Sequence, residues 1–178
     1  MRKLILGFGM TLDGYIARPN HGVDFLVEEK ETSKMMSEFF RTVDVAIMGR
    51  KTAEISLKMH GGKFPSPGLS TYVFSRSWPA GQREGFKVVK GPPAALIRRL
   101  REQKGKHMIL MGGGELTRSF LQSDLVDEIY IGVMPVLLGK GIPAFPAGFP
   151  QRDFALVECK GYAKGSIGLR YRRVRRPA

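Results

Sequence analysis

The chain has 178 residues, 43% of them apolar and 25% charged, which suits one globular domain with one core. No apolar run approaches the roughly 20 residues that span a bilayer, and Lys3–Gly9 is too short for a signal core and has no small-residue cleavage pattern after it, so a cytoplasmic protein is expected. The net charge of +13 leaves three explanations open: nucleic acid, an anionic substrate or cofactor, or a solubilising surface.

The elements alternate between strand and helix, which predicts one α/β domain over residues 1–178. Lys3–Gly9 reads as a buried strand and Met10–Gly22 as a polar loop. Met35, Met36, Phe39 and Phe40 recur at helical spacing within Ser33–Arg41, and that stripe is expected to face the core. Val43–Met48 reads as a second buried strand, followed by a helix from Arg50. His60–Gly68, with Gly61, Gly62, Pro65 and Pro67, reads as a loop. Thr71–Phe74 and Phe86–Val89 are expected strands. Pro92 and Pro93 open a helix to about Gln103, stopped by Gly105. His107–Met111 is a strand, Glu115–Gln122 a helix and Glu128–Met134 a strand. Phe154–Tyr162 and Ile167–Val174 form a closing antiparallel hairpin across Lys164-Gly165. The arginines at 170, 172, 173, 175 and 176 alternate with apolar residues there, as a solvated charged strand with a frayed tail would.

Cys159 is the single cysteine, so no internal disulfide is possible, and a half-buried strand position is expected for it. His21, His60 and His107 are scattered, and no Cys/His spacing fits a metal site, so no metal is expected.

Three segments carry chemistry. Gly112-Gly113-Gly114 joins a strand to a helix. Without Cβ atoms its N–H groups can approach an anion, and the helix start adds free donors and a positive dipole end. The alternative is a tight turn. Gly49-Arg50-Lys51-Thr52 repeats the arrangement, with a guanidinium, an ammonium and a hydroxyl at a helix start. The alternative there is a helix start with solvated cations. Two such junctions together favour a diphosphate ligand. Ser75-Arg76-Ser77 ends a strand with hydroxyls and a cation, which suits a phosphate monoester such as the 2′-phosphate of NADPH, and no acid stands there to favour a free ribose. Gly7, Gly9 and Gly14 fit neither a dinucleotide fingerprint nor a P-loop, and no helical pattern follows them.

Several segments in order resemble one family: Thr11-Leu12-Asp13-Gly14-Tyr15-Ile16-Ala17, Ile47-Met48-Gly49-Arg50-Lys51-Thr52, Val73-Phe74-Ser75-Arg76, Met111-Gly112-Gly113-Gly114-Glu115-Leu116, Asp127-Glu128-Ile129 and Pro135-Val136-Leu137-Leu138-Gly139-Lys140-Gly141. The chain resembles the dihydrofolate reductase-like superfamily, and within it the reductase domain of riboflavin biosynthesis and its stand-alone members. The resemblance implies a central, mostly parallel, twisted sheet flanked by helices, and an NADPH-dependent reductase of a small heterocyclic substrate, like 5-amino-6-(5-phosphoribosylamino)uracil reductase. It places NADPH on Gly9, Ile16, Gly49, Arg50, Lys51, Thr52, Ser75, Arg76, Gly112, Gly113, Gly114, Glu115, Leu116 and Thr117. It places the substrate beside Thr11, Asp13 and Tyr15, with Asp13 as the candidate catalytic group. It also implies a cis peptide at Gly112–Gly113 and a homodimer built partly from the last strands. Two positions depart from the riboflavin reductases, which usually carry lysine in place of Tyr15 and often glutamate in place of Met111. The other readings are a dihydrofolate reductase in the strict sense and a non-enzymatic binder of nucleotide or nucleic acid. Nucleic acid is the less favoured, since no aromatic-rich basic face appears.

Overall fold

Val45 to Met48 form a stretch whose four side chains are all at most 3% exposed. Such a run suits a strand covered on both faces, the usual condition of a parallel sheet. In the computed structural model, which describes residues 1–27, 30–64 and 68–175, this run is the centre of β3 (Val43–Gly49). The other elements, in chain order, are β1 (Leu4–Thr11), β2 (Tyr15–Ala17), α1 (Lys30–Phe40), α2 (Arg50–Met59), β4 (Ser70–Phe74), β5 (Gly81–Arg83), β6 (Phe86–Val89), α3 (Pro93–Glu102), β7 (His107–Leu110), α4 (Gly114–Gln122), β8 (Glu128–Met134), β9 (Ile142–Pro143), β10 (Phe154–Gly161) and β11 (Ile167–Arg173).

Nine strands make one sheet in the order β10-β11-β8-β1-β7-β3-β4-β6-β5. The six strands from β8 to β6 run parallel, while β5 and the β10–β11 hairpin are antiparallel. A mostly parallel sheet closed by an antiparallel hairpin is the architecture expected from the sequence. The small ribbon β2–β9 lies apart and was not anticipated; β2 falls inside the expected Met10–Gly22 loop. Pro65, Ser66 and Pro67 of the expected His60–Gly68 loop lie outside the described residues.

Alternate side chains of the central strands face opposite ways, so two cores form. On one face Leu4, Leu6, Val45, Ile47, Met108 and Leu110 meet Leu96, Ile97 and Leu100 of α3 and Phe120 and Leu121 of α4. Positions 96, 97 and 100 share one helical face, which is why α3 lies flat on the sheet. Fully burying a side chain such as Phe120 contributes about 1.5–3 kcal/mol. On the other face Ala46, Met48, Val73 and Val88 meet Ala53 of α2, with Phe39 and Phe40 packed alongside.

Three expectations change here. The stripe on α1 is divided: the helix fully buries none of its residues, Met35 and Met36 are each 40% exposed, and Phe39 and Phe40 alone pack against the core. Cys159 is exposed on the edge strand β10. The arginines near the end are only partly solvated: the Arg172 side chain is 61% exposed, but Arg173 lies 2.8 Å from Asp124, and Arg175 lies 3.1 Å from Asp127. Arg176 is outside the described residues. Among the described residues no helix is long and apolar enough to cross a membrane, and no group of metal-ligating side chains forms.

Candidate active site

Parallel neighbours place their carboxyl ends side by side, so the loops after β3, β4 and β7 meet. Hydrogen bonding extends past the paired strands: Gly49 N–H donates to Gly112 O at 3.2 Å, and Gly113 N–H donates to Thr52 Oγ1 at 3.1 Å. The two glycine-bearing junctions are thereby one structure. Gly49 caps α2 and Gly113 caps α4, and neither cap makes a side-chain hydrogen bond to its helix. Both helices therefore present first-turn N–H groups toward the same space, with the positive dipole ends behind them. The Gly112–Gly113 peptide is cis, as the resemblance implied, and Gly112 sits at φ 86°.

That space is a cleft of about 2060 Å³. Single-ligand pockets run to roughly 300–1,000 Å³, so this one has room for two molecules. Of the residues expected at the cofactor, Gly9, Ile16, Gly49, Arg50, Lys51, Thr52, Ser75, Arg76, Gly113, Gly114, Glu115 and Leu116 line it. Gly112 stands behind the wall, its carbonyl held by Gly49. Thr117 is 1% exposed, one turn into α4, and supports the wall from within. Ser75 follows β4 and accepts the Trp78 N–H at 2.8 Å, which fixes the turn that carries Arg76. Lys90 closes on the same turn, its ammonium 3.1 Å from Arg76 O.

The residues expected at the substrate are placed differently. Thr11, Asp13 and Tyr15 do not line the cleft. Asp13 accepts the Thr11 hydroxyl at 2.5 Å on one oxygen and the amides of Leu138 and Gly139 at 3.0 and 2.7 Å on the other. These donors, the Thr11 hydroxyl foremost, hold its carboxyl below the usual carboxylate range. Asp13 ties the Pro135–Gly141 loop to the β1–β2 turn. Tyr15 belongs to the β2–β9 ribbon, where Gly141 passes so close that a Cβ there would stand 2.5 Å from Ala17 O.

The RibD C-terminal domain family matches residues 2–167. The chain belongs to that family. It is 38% identical over 145 residues to the uncharacterized protein YwjB of Bacillus subtilis (strain 168), covering 81% of this chain and 83% of that one. A Shewanella sp. PV-4 protein assigned provisionally to riboflavin biosynthesis shares the fold with a TM-score of 0.84 at 26% identity, over 97% of this chain and 99% of the other. The dihydrofolate reductase of Enterococcus faecalis, complexed with NADP(H), superposes with a TM-score of 0.65 at 18% identity, over 96% of each chain. The chain thus shares the dihydrofolate reductase-like fold.

Within this RibD C-terminal domain a further set of cleft residues was invisible in the sequence. Leu26, Met35, Met36, Phe39, Tyr130, Met134, Tyr162, Lys160 and Arg170 line the half of the cleft beyond the phosphate-type junctions. Tyr130 donates its hydroxyl to Glu128 at 3.1 Å, and the Arg170 guanidinium stacks over its ring at 4.9 Å. Burial first, and then the Glu128 carboxylate, push the Tyr130 phenol up to about 12. Only α1 carries a sequence signal, its apolar stripe, of which Met35, Met36 and Phe39 line the cleft.

Proposed function

We propose that this protein is an NADPH-dependent reductase of the riboflavin-biosynthesis type, acting on a small heterocyclic or carbonyl substrate. One observation carries the reading: two helix starts without side-chain caps, hydrogen-bonded to one another through Gly49–Gly112 and Thr52–Gly113, open on the same cleft as Ser75 and Arg76. The donor set fits a dinucleotide. A Cβ at Gly49 would meet only Leu116 Cβ, at 4.0 Å, so the backbone there is open to close approach. Arg50, Lys51, Arg76, Lys90 and Arg118 add positive charge along this half of the cleft. Membership in the family and the NADP(H) complex of the Enterococcus faecalis relative point the same way.

Bound NADPH would supply the hydride. The chain's own part is to hold the diphosphate on the α2 and α4 starts, to hold a 2′-phosphate on Ser75 and Arg76, and to leave the far half of the cleft for the acceptor. The test is a thermal-shift comparison of the two nicotinamide cofactors. NADPH at 100 times its Kd should stabilise the fold by about 2.7 kcal/mol, and NADH should do less. Arg76→Ala should weaken NADPH by about tenfold and leave NADH unchanged, since only the charge-assisted contact to the 2′-phosphate is lost. No shift with either cofactor at millimolar concentration would overturn the reading.

A further inference from the structure

The far half of the cleft has an unusual floor. Gly9, Gly132 and Gly168 stand opposite one another across β1, β8 and β11, so on this face a row of three strands carries no side chain. Bulky groups lie down on that row instead. A Cβ at Gly9 would stand 2.6 Å from Leu26 Cδ2, one at Gly132 would stand 3.1 Å from Met134 Cε, and one at Gly168 would stand 3.2 Å from Tyr162 Cε2. A larger residue in the row would lift these side chains into the cleft and narrow it.

The roof is α1. It turns Met35, Met36 and Phe39 toward the cleft and is clasped to the hairpin by the Tyr162 hydroxyl, 2.8 Å from Met35 Sδ. The Phe39 ring meets the Tyr130 ring at 5.1 Å. Floor and roof are therefore thioether and aromatic carbon. These are soft, polarisable surfaces that pack well on flat rings and adapt to their outline.

Charge divides the cleft. Five cations line the phosphate-type half; Arg50 and Arg118 pair with Glu54 and Glu115, each at 2.5 Å, but among the described residues Lys51, Arg76 and Lys90 face no carboxylate. In the far half Lys160 lies 3.7 Å from Glu31, and Arg170 lies 3.3 Å from Glu158. Glu38 adds another carboxylate to that lining. A phosphate entering here would find each cation already facing an acid, and would meet repulsion from those acids.

We propose that this half takes an uncharged, planar quinone ring, bearing neither phosphate nor sugar, as the hydride acceptor. The proposal rests on the NADPH reading of the other half. For a quinone the ring gains a hydride from NADPH at one carbonyl oxygen and a proton from water at the other. The two electrons of the hydride make it a hydroquinone, and NADP⁺ is left behind.

Duroquinone is a suitable probe, because its fully substituted ring gives the exposed Cys159 no open carbon to add to. Its binding to the cofactor-free protein is measured by equilibrium dialysis, its reduction by NADPH oxidation, and NADPH affinity separately by thermal shift. We expect duroquinone to bind and to be reduced. Met36→Glu places a carboxylate in the roof at a position that is 40% exposed, so the fold tolerates it. It should raise the duroquinone KM by about tenfold or more with an unchanged NADPH Kd, and Met36→Leu should restore the wild-type value. NADPH binding together with turnover of 5-amino-6-(5-phosphoribosylamino)uracil, and no binding of duroquinone, would overturn the substrate assignment. Duroquinone binding without any NADPH binding would overturn the cofactor reading and leave the ring slot standing.

Discussion

Both carboxylate oxygens of Asp13 are taken by neighbours in the chain: a hydroxyl on one, two backbone amides on the other. Asparagine keeps one oxygen and turns the other position into an NH₂ donor, which then faces either the Thr11 hydroxyl or the two amides. The Pro135–Gly141 loop should loosen. Because Asp13 stands outside the cleft, Asp13→Asn should lower the thermal midpoint and leave NADPH-dependent turnover in the wild-type range. A large fall in kcat with an unchanged midpoint would return Asp13 to the chemistry. The sequence could not choose between these roles: an aspartate before a glycine serves equally as a turn residue and as a proton relay. The partner that decides lies more than a hundred residues away, at Leu138 and Gly139. The junction residues were legible for the opposite reason. Glycines, cations and a hydroxyl at a strand-to-helix step act through their own backbone, so local sequence is sufficient to suggest them.

Helical periodicity reports that a helix has an apolar face, and it is silent about what that face meets. The α1 stripe is therefore legible and its division is not: Met35 and Met36 look across a gap, while only Phe39 and Phe40 touch the core beneath. The long strands were legible because buried parallel strands are plain apolar runs. The two-residue β9 and the three-residue β2 have no such run and are set by pairing alone. One residue joins several elements that the sequence leaves unrelated. Asp127, 7% exposed, accepts the Leu4 amide at 2.9 Å where β1 begins, the Arg101 guanidinium at 2.6 Å from the end of α3, and Arg175 at 3.1 Å after β11. Removing one partner from a buried ion pair leaves the other charge unmatched. Asp127→Ala should therefore cost about 3 kcal/mol in urea unfolding. A loss under about 0.5 kcal/mol, typical of an exposed surface change, would show that the cluster is only decoration.

At the scale of the whole molecule, the cleft is assembled by strand order. β1 sits between β8 and β7, so segments from opposite ends of the chain become neighbours, and the glycine row of Gly9, Gly132 and Gly168 exists only after that ordering. The same ordering sets the acid response. It brings Asp124 beside Arg173, Arg175 and Arg152, and Glu128 beside Lys3. Burial works against ionisation at both carboxyls, but the Arg173 and Lys3 contacts outweigh it, and both stay below the usual carboxylate range. A depressed folded-state pKa means that the unfolded chain takes up protons first as acid is added. The stability from these pairs is then fully present above the unfolded values, about pH 4, and drains away as pH falls through the lower folded values. The urea midpoint should be level between about pH 7 and 5 and should drop between about pH 4 and 2. Asp124→Asn should start from a lower midpoint at neutral pH and lose less on acidification. A midpoint that instead falls between pH 7 and 5 would take the acid response away from these carboxylates, and equal acid slopes in the variant and the wild type would remove Asp124 from the account.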